Sequence, residues 1–146
     1  MHEFPPFPHN IGILLAETAR IWRTKLDQRL HPLGLSQAKW VLLAHLAHGG
    51  EGMVQRDLAE RMGVEGPTLV RLLDRMTRDG WIIRRDSLAD RRSKTIHLTE
   101  KAGMIIKEIS IIAAKLRGEI LIGIPADKLE CCADVIQKIK TRAEAL

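Results

Sequence analysis

The chain has 146 residues, of which 45% are hydrophobic, so it is long enough for one domain with a sizeable core. It carries 23 lysines and arginines against 18 acidic residues, and the formal charge of +5 suits a polyanionic partner, although an ordinary solvated surface would also carry it. No segment is long and apolar enough to span a bilayer, and Pro5, Pro6 and Pro8 stand where a signal peptide would have its apolar core, so we expect no membrane association and a cytoplasmic location.

Two helices are predicted in the first third of the chain. From Pro8 to about Leu30 apolar residues recur at helical spacing, and Pro32 with Gly34 ends that helix. Ser36 is a good N-cap for a second helix, which is expected to run to residues 49–50. The residues expected on the apolar sides are Ile11, Leu14, Leu15, Thr18, Trp22, Leu26 and Leu30 in the first helix, and Trp40, Leu43 and Ala47 in the second.

Residues 55–80 predict two further helices joined by a tight turn. The first has apolar residues at Leu58, Ala59 and Met62, and Gly63 stands where a left-handed residue would end it. The second begins at Pro67, because proline is favoured at a first helical position, and stops at Gly80. Its stripe of Leu69, Leu72, Leu73 and Met76 leaves the opposite side, with Thr68, Val70, Arg71, Asp74 and Arg78, free to face a partner. This order predicts a helix-turn-helix, a structure that reads DNA.

A two-stranded ribbon is predicted directly after these helices. Residues 81–83 and 95–98 are short, apolar and rich in β-branched side chains, and the polar run 86–94 forms the loop between them. We expect Trp81 and Ile83 to pack against the helices, because a small ribbon has no core of its own. Between Arg71 and Lys94 there are eight basic residues against four acidic ones. The predicted winged helix therefore concentrates positive charge where a phosphate backbone would lie.

The C-terminal third predicts two more helices with surplus apolar surface. Thr99 opens a long helix that Gly123 and Pro125 end, and the last helix starts at about Ala126. Isoleucines surround much of the long helix, which is typical of a helix with neighbours on more than one side. A homodimer would cover this surface and would favour an inverted-repeat DNA target, although a monomeric bundle with a thick core is the alternative. The relevant residues are Ile105, Ile106, Ile109, Ile111, Ile112, Leu116 and Ile120 in the long helix, and Leu129, Cys132, Val135, Ile136 and Ile139 in the last.

Four segments carry a resemblance to a known family. They are ETARIWRTKLDQRLHPLGLSQAKWVLL, the helix opening GVEGPTLVRLLDRM, the wing DRRSKTIHLTEKA and the helix-breaking IPADKLE. In this order they resemble the MarR family of bacterial transcriptional regulators along nearly the whole chain, and especially its SlyA-like branch. The resemblance implies one mainly α-helical MarR-type domain over 1–146 with a small β-ribbon. It implies a winged helix-turn-helix lobe at 36–98, dimerisation helices at 8–31 and 99–146, DNA binding at palindromic promoter sites, and often release by small aromatic acids.

The resemblance assigns DNA-binding roles to two groups of residues. Pro67, Thr68 and Arg71 fall where the family approaches base edges and nearby phosphates, and an arginine has the donors for a guanine edge. Arg75 and Arg78 match phosphate contacts. At the wing, Arg92 matches the arginine that enters the minor groove, Asp90 the residue that fixes it, and Arg91 an auxiliary contact. Arg84 and Arg85 are expected either to join this surface or to be charged strand residues facing solvent.

A candidate effector site follows from the same resemblance. Arg20, Arg23 and Trp40 match a pocket of SlyA-like members, and two arginines three residues apart share a helix side from which both could bind a carboxylate. The indole offers an apolar plane for the aromatic ring of a small aromatic carboxylate. The alternative is a solvated arginine pair beside an ordinary core tryptophan. The branch pattern has a histidine where this chain has Ala44, with His45 one position later.

Other chemistries have weaker signals. Cys131 and Cys132 are adjacent and lack metal-motif spacing, so one is expected in a core and the other partly exposed. His45 and His48 form an HxxH pair that leaves a zinc-responsive regulator as an alternative. No phosphate loop, nucleophile elbow or HExxH helix is present, so we predict no enzyme and no cofactor. Basic patches alone would also serve a sequence-indifferent architectural DNA-binding protein.

Overall fold

The computed structural model describes Glu3, Pro6 and residues 9–146, and helices dominate this part of the chain. Pro5 and Pro8 lie outside the described residues, so the predicted start of the first helix is not tested there. The α-helices are α1 (Ile11–Leu30), α2 (Gln37–His45), α3 (Gln55–Met62), α4 (Gly66–Arg78), α5 (Glu100–Ile120) and α6 (Ala126–Glu144). An antiparallel pair, β1 (Ile82–Asp86) and β2 (Lys94–Leu98), lies between α4 and α5 in the chain. The predicted class, mainly α with a small β-ribbon, is confirmed.

The chain divides into two compact units, of which the first ends at Ala113 and the second is Ala114–Leu146. The core of the first unit contains large side chains from all its helices and both strands. Leu30, Leu42, Leu43, Leu46, Leu58, Leu69, Leu73, Met76, Ile82 and Ile96 are at most 1% exposed. Burying each of them stabilises the folded state by roughly 1.5–3 kcal/mol relative to exposure.

The connection after α2 differs from a regular helix end. Ser36 caps α2 as predicted, with its hydroxyl oxygen accepting the amide of Lys39 at 3.4 Å. The last turn, Leu46–Gly50, is π-helical and contains a kink, with Gly49 at φ +100°. A Cβ at Gly50 would lie 2.7 Å from the carbonyl oxygen of His45, so this turn requires glycine there. The prediction that Ala47 packs inwards is wrong, because the wider turn leaves it exposed and Leu46 takes the core position.

The ribbon is longer than predicted, and its inward face is different. β1 extends to Asp86, which pairs with Lys94, and Ile82 and Ile96 are the side chains buried against the helices. Ile83 is 43% exposed, so the prediction that it packs inwards is wrong. Trp81 precedes the strand in a bend, and the two-residue alternation therefore begins at Ile82. Trp81 is still half-buried against the core, with the Lys101 ammonium group 4.2 Å from its ring centre.

A third segment pairs with β2, which the sequence pattern did not indicate. The amide of Gly52 donates to the Ile96 carbonyl at 2.6 Å, and the amide of Ile96 donates to the Met53 carbonyl at 3.0 Å. Val54 forms a bridge with Thr95. The base of the wing is thus hydrogen-bonded to the chain that connects α2 and α3.

The second unit leaves several large apolar side chains exposed. Ile120, Ile122, Ile124, Val135 and Ile136 are exposed, whereas Leu129 and Ile139 are half-buried. Cys131 and Cys132 are both exposed, so the expectation that one of them lies in a core is wrong. The predicted helix break is confirmed, with Gly123 at φ +79° between α5 and α6. Within the described part of the chain, the helices are all too short or too polar to cross a membrane.

Candidate nucleic-acid interface

The α3–turn–α4 segment presents one side of α4 to solvent. Gly63 adopts a left-handed conformation (φ +67°) at the end of α3, and the Val64 amide donates back to the Ala59 carbonyl at 3.1 Å. Pro67 lies in the first turn of α4 as predicted. The stripe Leu69, Leu72, Leu73 and Met76 is buried, whereas Pro67, Thr68, Val70, Arg71, Asp74, Arg75 and Arg78 are exposed. The predicted division of α4 into a packed side and a free side is confirmed.

The basic side chains of α4 are available to a partner. The side chains of Arg71, Arg75 and Arg78 make no hydrogen bond or ion pair with any other residue that the structure describes. Asp74, on the same exposed side, is paired with Arg84 of β1, with 2.7 Å between its Oδ1 and the arginine Nη1. Arg84 is thus paired and half-buried, whereas Arg85 is exposed, so the alternative of a charged strand residue facing solvent describes Arg85 but not Arg84.

The C-terminal end of α4 is fixed by two other helices. Lys39 of α2 forms an ion pair with Asp79, with 3.2 Å between Nζ and Oδ2. Lys101 of α5 donates to the Asp79 carbonyl at 2.7 Å, and the Thr99 hydroxyl donates to the Gly80 carbonyl at 2.6 Å. These contacts join residues 19 to 40 positions apart, and no local pattern in the sequence indicates them. They hold the C-terminal end of α4, whereas its stripe is held by packing in the core.

The tip of the wing is held by its own hydrogen bonds. The Asp90 carboxylate accepts the backbone amide of Arg92 at 2.9 Å, and the Asp90 carbonyl accepts the amide of Ser93 at 3.0 Å. The Ser87 amide donates to the Ser93 carbonyl at 2.9 Å. Asp90 thus orients Arg92 through the main chain. The side chains of Arg91 and Arg92 are exposed and have no partner among the residues described here.

Two of the three candidate effector residues line a common cavity. Arg23 and Trp40 lie on a cavity of about 220 Å³ together with Val41, Ala44, His45 and His48. Trp40 is 5% exposed, and its Nε1 donates to Asp27 Oδ1 at 2.9 Å. Arg20 is exposed and does not line this cavity. The structure therefore brings Arg23 and Trp40 together but leaves Arg20 outside.

Arg23 places a positive charge on the lining of the cavity, and Arg61 lies close enough to act on His45. Partial burial lowers the pKa of His45 from its ordinary value of 6.5, and the charges of Arg61, His48 and Arg23 lower it further. Among the described residues no group of three His, Cys, Asp or Glu side chains could hold a metal ion, so His45 and His48 have no third ligand there. This environment favours an anion over a cation.

A larger cavity of about 540 Å³ lies beside β1 but offers few free groups. Its Thr99 hydroxyl donates to Gly80, its Arg84 is paired with Asp74, and its Lys94 is paired with Asp86. Because these polar groups already have partners, a ligand would have to displace existing bonds. We therefore place the candidate effector site at the smaller cavity.

Comparisons with known proteins agree with this architecture. The family model described as MarR family matches residues 33–93, which contain α3, α4 and most of the wing. The chain is similar to the solved transcriptional regulator PA3341, with 46% identity and a TM-score of 0.85 over 93% of this chain and 99% of that one. It is also similar to CouR from Rhodococcus jostii RHA1, which was solved bound to p-coumaroyl-CoA, with 27% identity and a TM-score of 0.75 over 89% of this chain and 91% of that one. The regulator SlyA shares 20% identity with a TM-score of 0.78, over 92% of this chain and 94% of that one, which shows a common fold.

Proposed function

Because the chain belongs to the MarR family of transcriptional regulators, we propose that it is a cytoplasmic homodimer of the SlyA-like branch that binds inverted repeats in promoter DNA. The observation that carries this proposal is the exposed side of α4. Arg71, Arg75 and Arg78 lie there without partners among the described residues, while the opposite stripe and the helix end are held in the protein. A rigid helix with free donors on its outer side is what major-groove reading requires.

The positions of the basic residues suggest a division of roles. Arg71, with Pro67 and Thr68 near the start of α4, reads base edges, and Arg71 makes a bidentate contact to a guanine. Arg75 and Arg78 bind phosphates, which fixes the register of the helix without reading sequence. Arg92, oriented by Asp90 and assisted by Arg91, enters the minor groove beside the helix.

Exposed apolar side chains support the homodimer. In the first unit Ile13, Leu14 and Ile21 are exposed on α1, and in the second unit five isoleucine and valine side chains are exposed between Ile120 and Ile136. Covering such residues with a second copy removes apolar surface from water. Two-fold symmetry then places two α4 helices roughly 34 Å apart, one turn of DNA.

This function can be tested by selecting the fragments of genomic DNA that the protein binds. The best inverted repeat among them is then titrated with the protein. We expect log affinity to fall linearly with log salt, because several phosphates are neutralised in each lobe. Arg71→Ala should relax selectivity at one base pair per half-site and cost about 1–3 kcal/mol there. Arg92→Ala should weaken binding to an extent that depends on the A·T content under the wing.

The outcome that contradicts a sequence-specific regulator is equal binding to selected and scrambled DNA. That result would instead favour a sequence-indifferent architectural protein, for which Arg71→Ala lowers affinity for both DNAs alike. Arg85→Ala is the matched control, because Arg85 is an exposed arginine of the same lobe to which no base contact is assigned. A stable monomer at micromolar concentration would contradict the symmetric mode of binding.

We also propose that small aromatic carboxylates release this protein from DNA by binding at the Arg23–Trp40 cavity. The positive charges near the cavity support an acidic ligand, and CouR, which has a similar fold, was solved bound to p-coumaroyl-CoA, a thioester of an aromatic acid. A ligand bound between α1 and α2 would favour a position of the winged helix-turn-helix lobe that differs from its position on DNA. The loss of DNA affinity cannot exceed the ligand's preference for that position.

Arg20, which lies outside the cavity, provides a matched control for Arg23 in a test of effector binding. In a Trp22→Phe, Trp81→Phe variant the fluorescence comes from Trp40 alone, and salicylate or a cinnamate-like acid should quench it while operator binding weakens. Arg23→Ala should abolish this quenching, whereas Arg20→Ala should leave it, because only Arg23 lines the cavity. Absence of quenching up to millimolar ligand, or equal effects of the two arginine variants, would remove this cavity as the sensor.

A further inference from the structure

Asp74 is an acidic residue on the exposed side of α4, among the arginines that are proposed to bind DNA. Arg71 precedes it by three residues and Arg78 follows it by four. Side chains at these spacings are neighbours on a helix, and an aspartate pairs readily with an arginine there. Without another partner, Asp74 would therefore compete with DNA for Arg71 and Arg78.

The structure gives Asp74 a partner from outside the helix. Arg84 Nη1 lies 2.7 Å from Asp74 Oδ1. Arg84 is two residues after Ile82 on β1, so both side chains point to the same face of the ribbon, and Ile82 is 1% exposed against the core. The packing of Ile82 thus brings Arg84 to α4 in a fixed place. Arg71 and Arg78 remain without a partner within the described part of the chain.

We propose that Arg84 is a positioning residue that occupies Asp74 and thereby keeps Arg71 and Arg78 available for DNA. This inference rests on the proposed DNA-binding function. In this role Arg84 acts by engaging the Asp74 carboxylate and not by contacting DNA. Asp74 in turn anchors the wing strand to α4, and its charge is neutralised close to where a phosphate backbone would lie.

The decisive test compares Arg84→Gln with the double variant Asp74→Asn, Arg84→Gln. An ion pair at this helical spacing favours the arginine paired with Asp74 over the unpaired arginine about twofold. In Arg84→Gln only about one third of the arginine side chains would then be unpaired, so the fraction available to DNA falls about threefold per half-site. For a dimer on an inverted repeat this is a loss of about ninefold in affinity, with relaxed selectivity at the base pair read by Arg71. The double variant has no carboxylate to capture the arginines and the net charge of the wild type, so it should return to within about twofold of the wild type.

Arg85→Gln is the charge-matched control, since it removes one exposed positive charge from the same strand and leaves the Asp74–Arg84 pair intact. The inference is overturned if Arg84→Gln and Arg85→Gln have equal effects. It is also overturned if the double variant binds as weakly as Arg84→Gln, because Arg84 would then act by touching DNA or by placing the wing.

A measurement without DNA separates this inference from the function it rests on. In the Arg84→Gln protein, NMR of the arginine Nε–Hε groups should show Arg71 or Arg78 shifting when Asp74→Asn is added. In the wild-type background the same substitution should shift mainly Arg84. If neither Arg71 nor Arg78 responds, the inference fails even if the wild type binds its inverted repeat; if the wild type does not select DNA, the proposed function fails instead.

Discussion

Replacing Trp40 by phenylalanine should destabilise the first unit, because Trp40 joins two helices by both burial and a hydrogen bond. Its ring lies in the core at 5% exposure, and its Nε1 donates to the partly buried carboxylate of Asp27 on α1 at 2.9 Å. Phenylalanine keeps an aromatic ring but has no donor. The Asp27 carboxylate then loses this hydrogen bond, and the smaller ring leaves unfilled space.

The expected cost follows from these two losses. A hydrogen bond to a charged group contributes about 1.5–3 kcal/mol, and the lost packing adds about 1 kcal/mol. Together they lower the free energy of unfolding by about 2.5–4 kcal/mol. Urea unfolding followed by far-ultraviolet circular dichroism measures this change, at one protein concentration because a dimer's stability depends on it.

A double-mutant cycle with Asp27→Ala isolates the hydrogen bond. The effect of Trp40→Phe should be smaller by about 1.5–3 kcal/mol in the Asp27→Ala background than in the wild type. Trp22→Phe is the matched control, since Trp22 is a half-buried tryptophan of α1 whose indole has no hydrogen-bond partner among the described residues. Equal costs of Trp40→Phe in both backgrounds would refute the reasoning.

Two further predictions concern protonation and the wing. Because partial burial and then the charges of Arg61, His48 and Arg23 lower the pKa of His45, the unfolded chain binds more protons than the folded protein, and stability should fall as the pH drops below about 6.5. His45→Gln should reduce that fall in urea titrations across this range, and an unchanged pH profile would contradict it. Ile82→Ala should cost about 2–5 kcal/mol and Ile83→Ala under about 1 kcal/mol, since Ile82 is buried and Ile83 is 43% exposed. The same unfolding assay compares them, and similar costs would mean that the inward face of β1 is misassigned.

Features set by local sequence were predictable. The end of α3 at Gly63, the start of α4 near Pro67 and its buried stripe follow from side-chain spacing and from the backbone freedom of glycine. The exposure of Arg71 and its neighbours follows from the same helical period. In each case the residues within one or two helical turns of the feature are enough to determine it.

Features set by distant partners were not predictable in the same way. The Asp74–Arg84 pair and the bonds of Lys39 and Lys101 to Asp79 depend on how α2, β1 and α5 meet α4. The inward face of β1 was misjudged because an alternating pattern fixes the face only once the first strand residue is known. For the effector cavity, spacing grouped Arg20 with Arg23, whereas the position of α2 decides that only Arg23 lines it.

The pairing of residues 52–54 with β2 also bears on how the wing avoids aggregation. A strand with unpaired backbone groups is a template for joining a sheet of another molecule. Here β2 is covered on one side by β1 and is partly covered on the other by the bonds to Gly52 and Met53, so β1 has the more open edge of this strand pair. That edge contains Arg84, Arg85 and Asp86 in succession, and charged side chains disfavour strand addition. The ribbon can therefore project from the molecule at high local concentration without strands of neighbouring molecules joining into a continuous sheet.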